Sequence, residues 1–296
     1  MKRLILNADD LGFSPAVNAA VLDGVCSGIL TAASLMVNMP YAEEAVEQVR
    51  TACPGLSLAL HFTLTSGRPA ARPKEIPLLT DARGMFHLGF SGLWKRLLSE
   101  KHRGEMLRQI ETEFTAQMQV MERFTEKYAL TWNHLDSHQH IHVLPGLLPF
   151  LQREAARRNL SLRIPRENFG GWLPFLRRCL TCGPQGIVKR AVLCQNLRHT
   201  EQRTGYFGIL DSGKMNEAAL SGIVRRLGRQ HDGLETAEVN LHPSDFSLGR
   251  NATLCCSPED AAFHRSPWRT QEFLASKSGN IRRLAEKYGV MLTGFD

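Results

Sequence analysis

Short apolar runs that end in polar, ionisable residues alternate along this chain with stretches whose apolar positions recur at the helical period. The first run, Arg3 to Asn7, reads as a buried strand with functional groups at its C-terminal end. Ser14 then caps a predicted helix carrying Val17, Ala20, Val21 and Val25, with Gly28 near its end. Ala32 to Val37 reads as a second strand. Tyr41 to Thr51 reads as a helix with acids early and Arg50 late, the order that a helix dipole favours. Leu56 to Leu64, which contains His61, is a third strand, followed by a loop rich in Pro and Gly through about Gly92. From Gly104 to Lys127, Met106, Ile110, Phe114, Met118 and Met121 fall near the helical period. Strands are predicted at Trp132 to Asp136, Leu160 to Ile164, Ala237 to Leu241 and Val290 to Thr293. Helices are predicted at Pro145 to Asn159, Asn216 to Leu227 and Ile281 to Tyr288.

This alternation predicts parallel βαβ units, and strands this apolar fit a sheet covered on both faces. Six or more strands suffice for a barrel, so the fold class predicted is an α/β barrel. With 296 residues, no internal repeat and no clear linker, residues 1–296 read as a single domain. Composition is that of an ordinary globular protein, 43% hydrophobic and 22% charged.

Charge changes the picture at one place. Between Arg166 and Arg203 lie seven basic residues (Arg166, Arg177, Arg178, Lys189, Arg190, Arg198, Arg203) against Glu167 and Glu201, most of the chain's net charge of +7. The same stretch carries Trp172, Leu173, Phe175, Leu176, Ile187, Val188, Val192 and Leu193. A basic and apolar insertion around 166–203 either packs on the barrel or lies on an anionic membrane surface. No nucleic-acid partner is expected, because a recognisable binding motif is lacking and the aromatics do not interleave with the basic run. No apolar run approaches the ~20 residues that span a bilayer, and the short apolar N-terminal run does not make a signal peptide. The seven cysteines, odd in number and irregularly spaced, fit reduced thiols in the cytoplasm. The Cys179/Cys182 pair has no second pair to complete a structural zinc site.

Four local features carry chemistry, each at the end of an apolar strand, where parallel α/β folds build their active face. In Asn7-Ala8-Asp9-Asp10-Leu11-Gly12, two adjacent acids cannot both be buried and charged without partners. A divalent cation resolves that conflict, with one carboxylate as ligand and the other as base; a turn or helix cap is the plainer alternative. His61 sits in an apolar run, where a hydrogen-bonded core histidine competes with a ligand. Asn133 to His142 holds four histidines and Asp136, and if the segment stays extended, His138, His140 and His142 share a face. Imidazole is a common metal ligand, and an adjacent carboxylate fixes its tautomer. His242, after Glu238-Val239-Asn240-Leu241, is either a strand-end cap or a proton donor. Together, one Asp and two His from separate strand ends make an open facial site suited to zinc or another first-row divalent ion. Magnesium, which prefers oxygen, remains an alternative.

The motifs NADDLG, LALHFTLTSGRP, HLDSHQHIHVLP and VNLHP, in that order, resemble the YdjC-like carbohydrate deacetylases, also called the ChbG/HpnK family. The resemblance implies a distorted (β/α) barrel related to polysaccharide deacetylases. Carried over, it implies Asp10, His61 and His138 as ligands of one divalent metal, Asp9 as general base and His242 as general acid. Asp136, His140 and His142 would orient the site or contact substrate. It implies hydrolysis of the acetyl group of an N-acetylated amino sugar, either a chitooligosaccharide or an N-acetylglucosaminyl lipid such as a hopanoid glycoside. The stretch ILTAASLMV is similar to the hopanoid-associated branch. Leu11 stands where many relatives have Phe after the acid pair, a change that bears on pocket shape. A cytoplasmic enzyme follows, with peripheral contact at the inner face of the membrane if the substrate is lipid-linked. Because relatives are often dimers, a homodimer is a further expectation. The rival reading is a non-catalytic, metal-dependent carbohydrate-binding protein, which has no need of an opposed base and acid.

Overall fold

The structure is a computed structural model and describes residues 1–166, 204–209, 211–229, 235–245, 256 and 258–295, without side chains at 258–260. The 166–203 insertion lies outside the described residues, apart from Arg166, and so does the Cys179/Cys182 pair.

Eight strands form one sheet, seven of them in the order β5-β4-β3-β2-β1-β7-β6 with β8 paired to β1 off this path, and every pairing is parallel. They are β1 (Lys2–Leu11), β2 (Ala32–Leu35), β3 (Ser57–Phe62), β4 (Trp132–Ser137), β5 (Ser161–Leu162), β6 (Thr204–Phe207), β7 (Thr236–Leu241) and β8 (Val290–Leu292). The first half of β1 pairs with β8 and its second half with β2, so the sheet forks along one edge of its longest strand. β5 and β6 end the strand order, and among the described residues they do not pair. The result is a curled, incomplete barrel. A cavity of about 400 Å³ lies between these edges, lined by Arg3, His134, Arg163, Tyr206, Glu238 and Phe295 among others. Most of its lining comes from the first halves of the strands, away from their C-terminal ends. The strand at β6 is one that the hydrophobic pattern did not predict.

The helices cover the sheet: α1 (Pro15–Cys26), α2 (Ala42–Ala52), α3 (Phe90–Leu98), α4 (Glu100–Tyr128), α5 (Leu147–Arg157), α6 (Glu217–Arg229), α7 (Pro258–His264), α8 (Pro267–Ser276) and α9 (Gly279–Lys287). Ser14 caps α1, its Oγ accepting from the Val17 N–H at 3.3 Å. The apolar row predicted on α4, Met106, Ile110, Phe114, Met118 and Met121, is buried.

Beside that row α4 buries three polar residues that hold the loop after β3. Gln109 Oε1 accepts from Leu78 N–H at 2.8 Å, and the Glu113 carboxylate accepts from the N–H groups of Ala70 and Ala71, each at 2.9 Å. Gln117 clamps Thr63 just past the end of β3, accepting from its N–H at 3.2 Å and donating to its carbonyl at 2.7 Å. These bonds satisfy loop backbone that has no ladder partner. Burial pushes Glu113 up to about 7, against bonds from Gln117, Ala70 and Ala71 that favour the charged form. Between pH 4.5 and 7 the folded chain then binds more protons at this site than the unfolded chain, so the contribution of Glu113 to stability falls as pH rises. Urea unfolding of the wild type and of Glu113→Gln across that window is expected to show a shallower decline in the variant. The upper bound on the difference is on the order of 3 kcal/mol. Parallel curves would place the pH dependence elsewhere.

Candidate active site at the strand C-terminal ends

Each polar group of interest stands at or just beyond the C-terminal end of a strand. Asp9 and Asp10 end β1, His61 and Asp136 lie near the ends of β3 and β4, and His138, Arg163 and His242 follow β4, β5 and β7. Adjacent strand residues normally point to opposite faces, yet both acids of β1 are buried, with Asp9 at 2% exposure and Asp10 at 0%. A register shift between Ala8 and Leu11 accounts for this. Asp10 adopts φ +69°, a left-handed backbone that Asp tolerates better than most residues, and the bulge re-aims its side chain.

Asp10 Oδ1 accepts a hydrogen bond from His138 Nδ1 at 3.0 Å and lies 3.5 Å from His61 Nε2. His61 and Asp136 are register partners on β3 and β4, and their contact at 2.6 Å joins Nδ1 to Oδ1. A proton donated from Nδ1 to Asp136 fixes the tautomer and leaves Nε2 facing Asp10. Asp10, His61 and His138 each offer one ligand atom within 4.8 Å of the others. One carboxylate and two imidazoles, anchored from behind by a further carboxylate, fit a divalent cation. Burial disfavours charge on His61, but Asp136, Asp9 and the bond to Asp10 outweigh it and raise its pKa to about 10. The cluster thus draws positive charge. Among the described residues two other groupings bring ligand atoms equally close, Asp9–His61–Asp136 and His134–Asp136–Glu238. Their carboxylates already face the Arg163 guanidinium, which disfavours a second cation there.

Arg163, fully buried, is the hub of the barrel interior. Its Nη1 and Nη2 donate to the two Asp9 oxygens, each at 2.9 Å. Nη2 also lies 2.7 Å from Asp136 Oδ2, and Nε donates to Glu238 Oε1 at 2.7 Å. Burial raises the pKa of Asp9, but Arg163 and His61 reverse that, so the carboxyl stays below its usual range and ionised. Glu238 goes the other way, pushed up to about 7 by burial despite Arg163. On the far side of Asp9, His242 Nε2 is 3.9 Å from Oδ2. Glu272 of α8 accepts from the His242 backbone N–H and lies 3.5 Å from its Nδ1. Glu272 also accepts from Met215 N–H at 2.8 Å.

The extended reading of His138 to His142 does not hold. After Ser137 the chain enters a 3₁₀ segment, His138–Val143, in which Gln139 and His140 take φ of +56° and +57°. Two left-handed residues turn the backbone, so alternation no longer sets direction. His138 turns to Asp10. His140 lies 3.4 Å from the Tyr206 hydroxyl. His142 donates from Nε2 to the Arg163 carbonyl at 2.9 Å while its Nδ1 meets Ser137 Oγ. Burial holds His142 neutral, its pKa lowered to about 4. It therefore fixes the backbone that carries Arg163.

Four residues of this site had not been singled out from sequence. Arg163 carried one signal, a lone charge inside the predicted run Leu160 to Ile164. Arg269 and Glu272 lie three apart on the buried face of α8, and His264 closes α7; nothing local marks them. Arg269 Nη1 donates to Asp10 Oδ2 at 3.0 Å. His264 Nε2 is 4.0 Å from the same oxygen, and its ring stacks on Phe13 with centroids 3.3 Å apart.

A parallel strand barrel, incomplete at one seam among the described residues, with a buried Asp–His–His cluster and an Asp–His pair beside it, defines an α/β-barrel protein with a candidate cation centre. The chain belongs to the YdjC-like protein family, whose model matches residues 3–287. It is 35% identical over 163 residues to a carbohydrate deacetylase of Thermoanaerobacter pseudethanolicus, covering 55% of this chain and 60% of that protein. It is 37% identical over 164 residues to a carbohydrate deacetylase of Geobacillus stearothermophilus, covering 54% and 58%. To a chitooligosaccharide deacetylase of Escherichia fergusonii it is 33% identical over 165 residues, covering 55% and 60%. The chain thus spans about 60% of the length of the curated relatives it matches. A crystal structure from Enterococcus faecalis, of a protein provisionally named for cellobiose-phosphate cleavage, aligns over 99% of this chain and 97% of its own. The TM-score is 0.67 at 22% identity, a likeness of fold.

Proposed function

We propose that this protein is a metal-dependent hydrolase that removes the acetyl group from an N-acetylated amino sugar. The observation that carries the reading is the meeting of Asp10, His61 and His138 around one point, with Asp9 and His242 alongside. The names of the deacetylase relatives support the amino-sugar class of substrate.

Asp10, His61 and His138 would hold the cation. When bound, a divalent ion supplies Lewis acidity toward water and toward an amide carbonyl, two partners that otherwise react slowly at neutral pH. Asp9, ionised and held at both oxygens by Arg163, is the acceptor for the water proton. His242 Nε2 holds the proton that goes to the departing sugar amine. Glu272 fixes the backbone of His242 from behind. A carbohydrate-binding protein without turnover has no use for such a base and acid side by side. The substrate is either a soluble oligosaccharide or a lipid-linked sugar; the latter goes with a peripheral position at a membrane. Among the described residues no helix is long and apolar enough to cross one.

The reading is tested by acetate release from N-acetylglucosamine oligomers and from lipid-linked N-acetylglucosamine, after loading with zinc, other first-row divalent ions and magnesium. No release from any of them would remove it. His61→Ala and His138→Ala are each expected to lower bound metal at least tenfold in elemental analysis of the purified chain. Metal content equal to wild type in either variant rejects that residue as a ligand.

A further inference from the structure

Asp10 is shared between two sets of neighbours. Its Oδ1 faces His61 and His138, while its Oδ2 faces Arg269 and His264. The second set has no task in the chemistry above.

Arg269 is 0% exposed and only its Nη1 reaches Asp10. Nε and Nη2 are buried without a hydrogen-bond partner among the described residues. These two nitrogens form one edge of the guanidinium, the edge whose parallel N–H groups match the two oxygens of a carboxylate. His264 is 2% exposed, and among the described residues both its ring nitrogens also lack a hydrogen-bond partner. The stack on Phe13, with planes 13° apart, fixes that ring. On the other side the Phe263 ring lies 5.1 Å from the Arg269 guanidinium carbon and 5.3 Å from the His242 ring. Buried donors left unmade are costly, and two such groups at one carboxylate oxygen call for an acceptor.

We propose that the free edge of Arg269, together with His264, forms a subsite for a small carboxylate beside Asp10, and that it receives the acetate released from the acetamido group. The identity of the carboxylate rests on the deacetylase reading; the presence of the subsite does not. The burial of Arg269, His264 and Asp10 suits acetate rather than the carboxylate of a whole sugar acid. An anion placed there sits one carboxylate away from the Asp10–His61–His138 cluster, as a product just leaving the reaction would.

The test is titration of the full chain with ¹³C-acetate by NMR, both metal-loaded and after chelation, so that acetate on a metal is separated from acetate on Arg269. Saturable binding is expected in the chelated wild type. Arg269→Lys keeps a positive charge toward Asp10 but loses the paired edge, and should weaken acetate roughly tenfold or more. His264→Phe keeps the stack on Phe13 and should weaken it severalfold; it decides the matter if the lysine variant does not fold. In an active preparation, acetate should become a correspondingly weaker product inhibitor of either variant. Absence of saturable binding to the chelated wild type, or wild-type affinity in the folded variants, overturns the subsite. Arg269-dependent acetate binding without acetate release from any amino sugar would keep the subsite and remove the deacetylase reading. Turnover with acetate binding indifferent to Arg269 and His264 would do the reverse.

Discussion

Asp9→Asn is expected to lower acetate release by about three orders of magnitude while bound metal stays at the wild-type level. Asp10 and Asp9 are neighbours in sequence but are separated by the bulge, which gives Oδ1 of Asp10 to the histidines and both oxygens of Asp9 to Arg163. An amide at position 9 can no longer take a proton. It also turns an N–H toward a guanidinium N–H that the carboxylate had satisfied, so a loss of about 1–3 kcal/mol in stability should accompany the change. Activity is therefore to be read at a temperature where circular dichroism shows the variant folded. A variant that is folded, inactive and stripped of metal would move Asp9 into the ligand set, through the Asp9–His61–Asp136 grouping. A folded variant with near wild-type turnover would remove Asp9 as the base.

Arg163→Met should cost about 3–5 kcal/mol of folding free energy at pH 8 by urea unfolding. The guanidinium is 0% exposed and faces Asp9, Asp136 and Glu238 together. Without it, three carboxylates confront one another inside the barrel and lose the one cation that all three face. Their folded-state pKa values would rise, so the loss is largest in alkali. It should shrink as pH falls and the carboxyls take up protons. A loss below about 1 kcal/mol at pH 8 would mean that the carboxylates find other partners. The same variant should lose activity beyond its stability defect, because Asp9 is aimed by two bonds to Arg163.

Much of the framework was legible because its signals are local. The runs at β1 and β3 are apolar and bounded by polar groups, and a buried parallel strand needs no more than that to be recognised. The row from Met106 to Met121 shows its period without reference to any neighbour, and Ser14 announces the start of α1. Acids and histidines clustered at strand ends also drew attention to the face where Asp10, His61 and His138 come together. The failure at His138 to His142 is instructive, because alternation gives direction only while the chain is extended. Two residues at positive φ were enough to send the three histidines to Asp10, to Tyr206 and to the Arg163 carbonyl.

Arg163, Arg269, Glu272 and His264 mark the boundary of what local reading can reach. Each acts on a partner far along the chain: Arg163 on Asp9 across 154 positions, Arg269 on Asp10 across 259. By itself the sequence showed most of the strands and helices, though not β6, α3, α7 or α8, that the strands run parallel, and which acids and histidines stand at their ends. The tertiary structure alone decided which of those groups share a carboxylate, which are neutralised by a buried guanidinium, and which way Asp10 turns. Element formation depends on patterns within a few residues, whereas the charge state and aim of a buried side chain depend on whatever closure of the barrel sets opposite it.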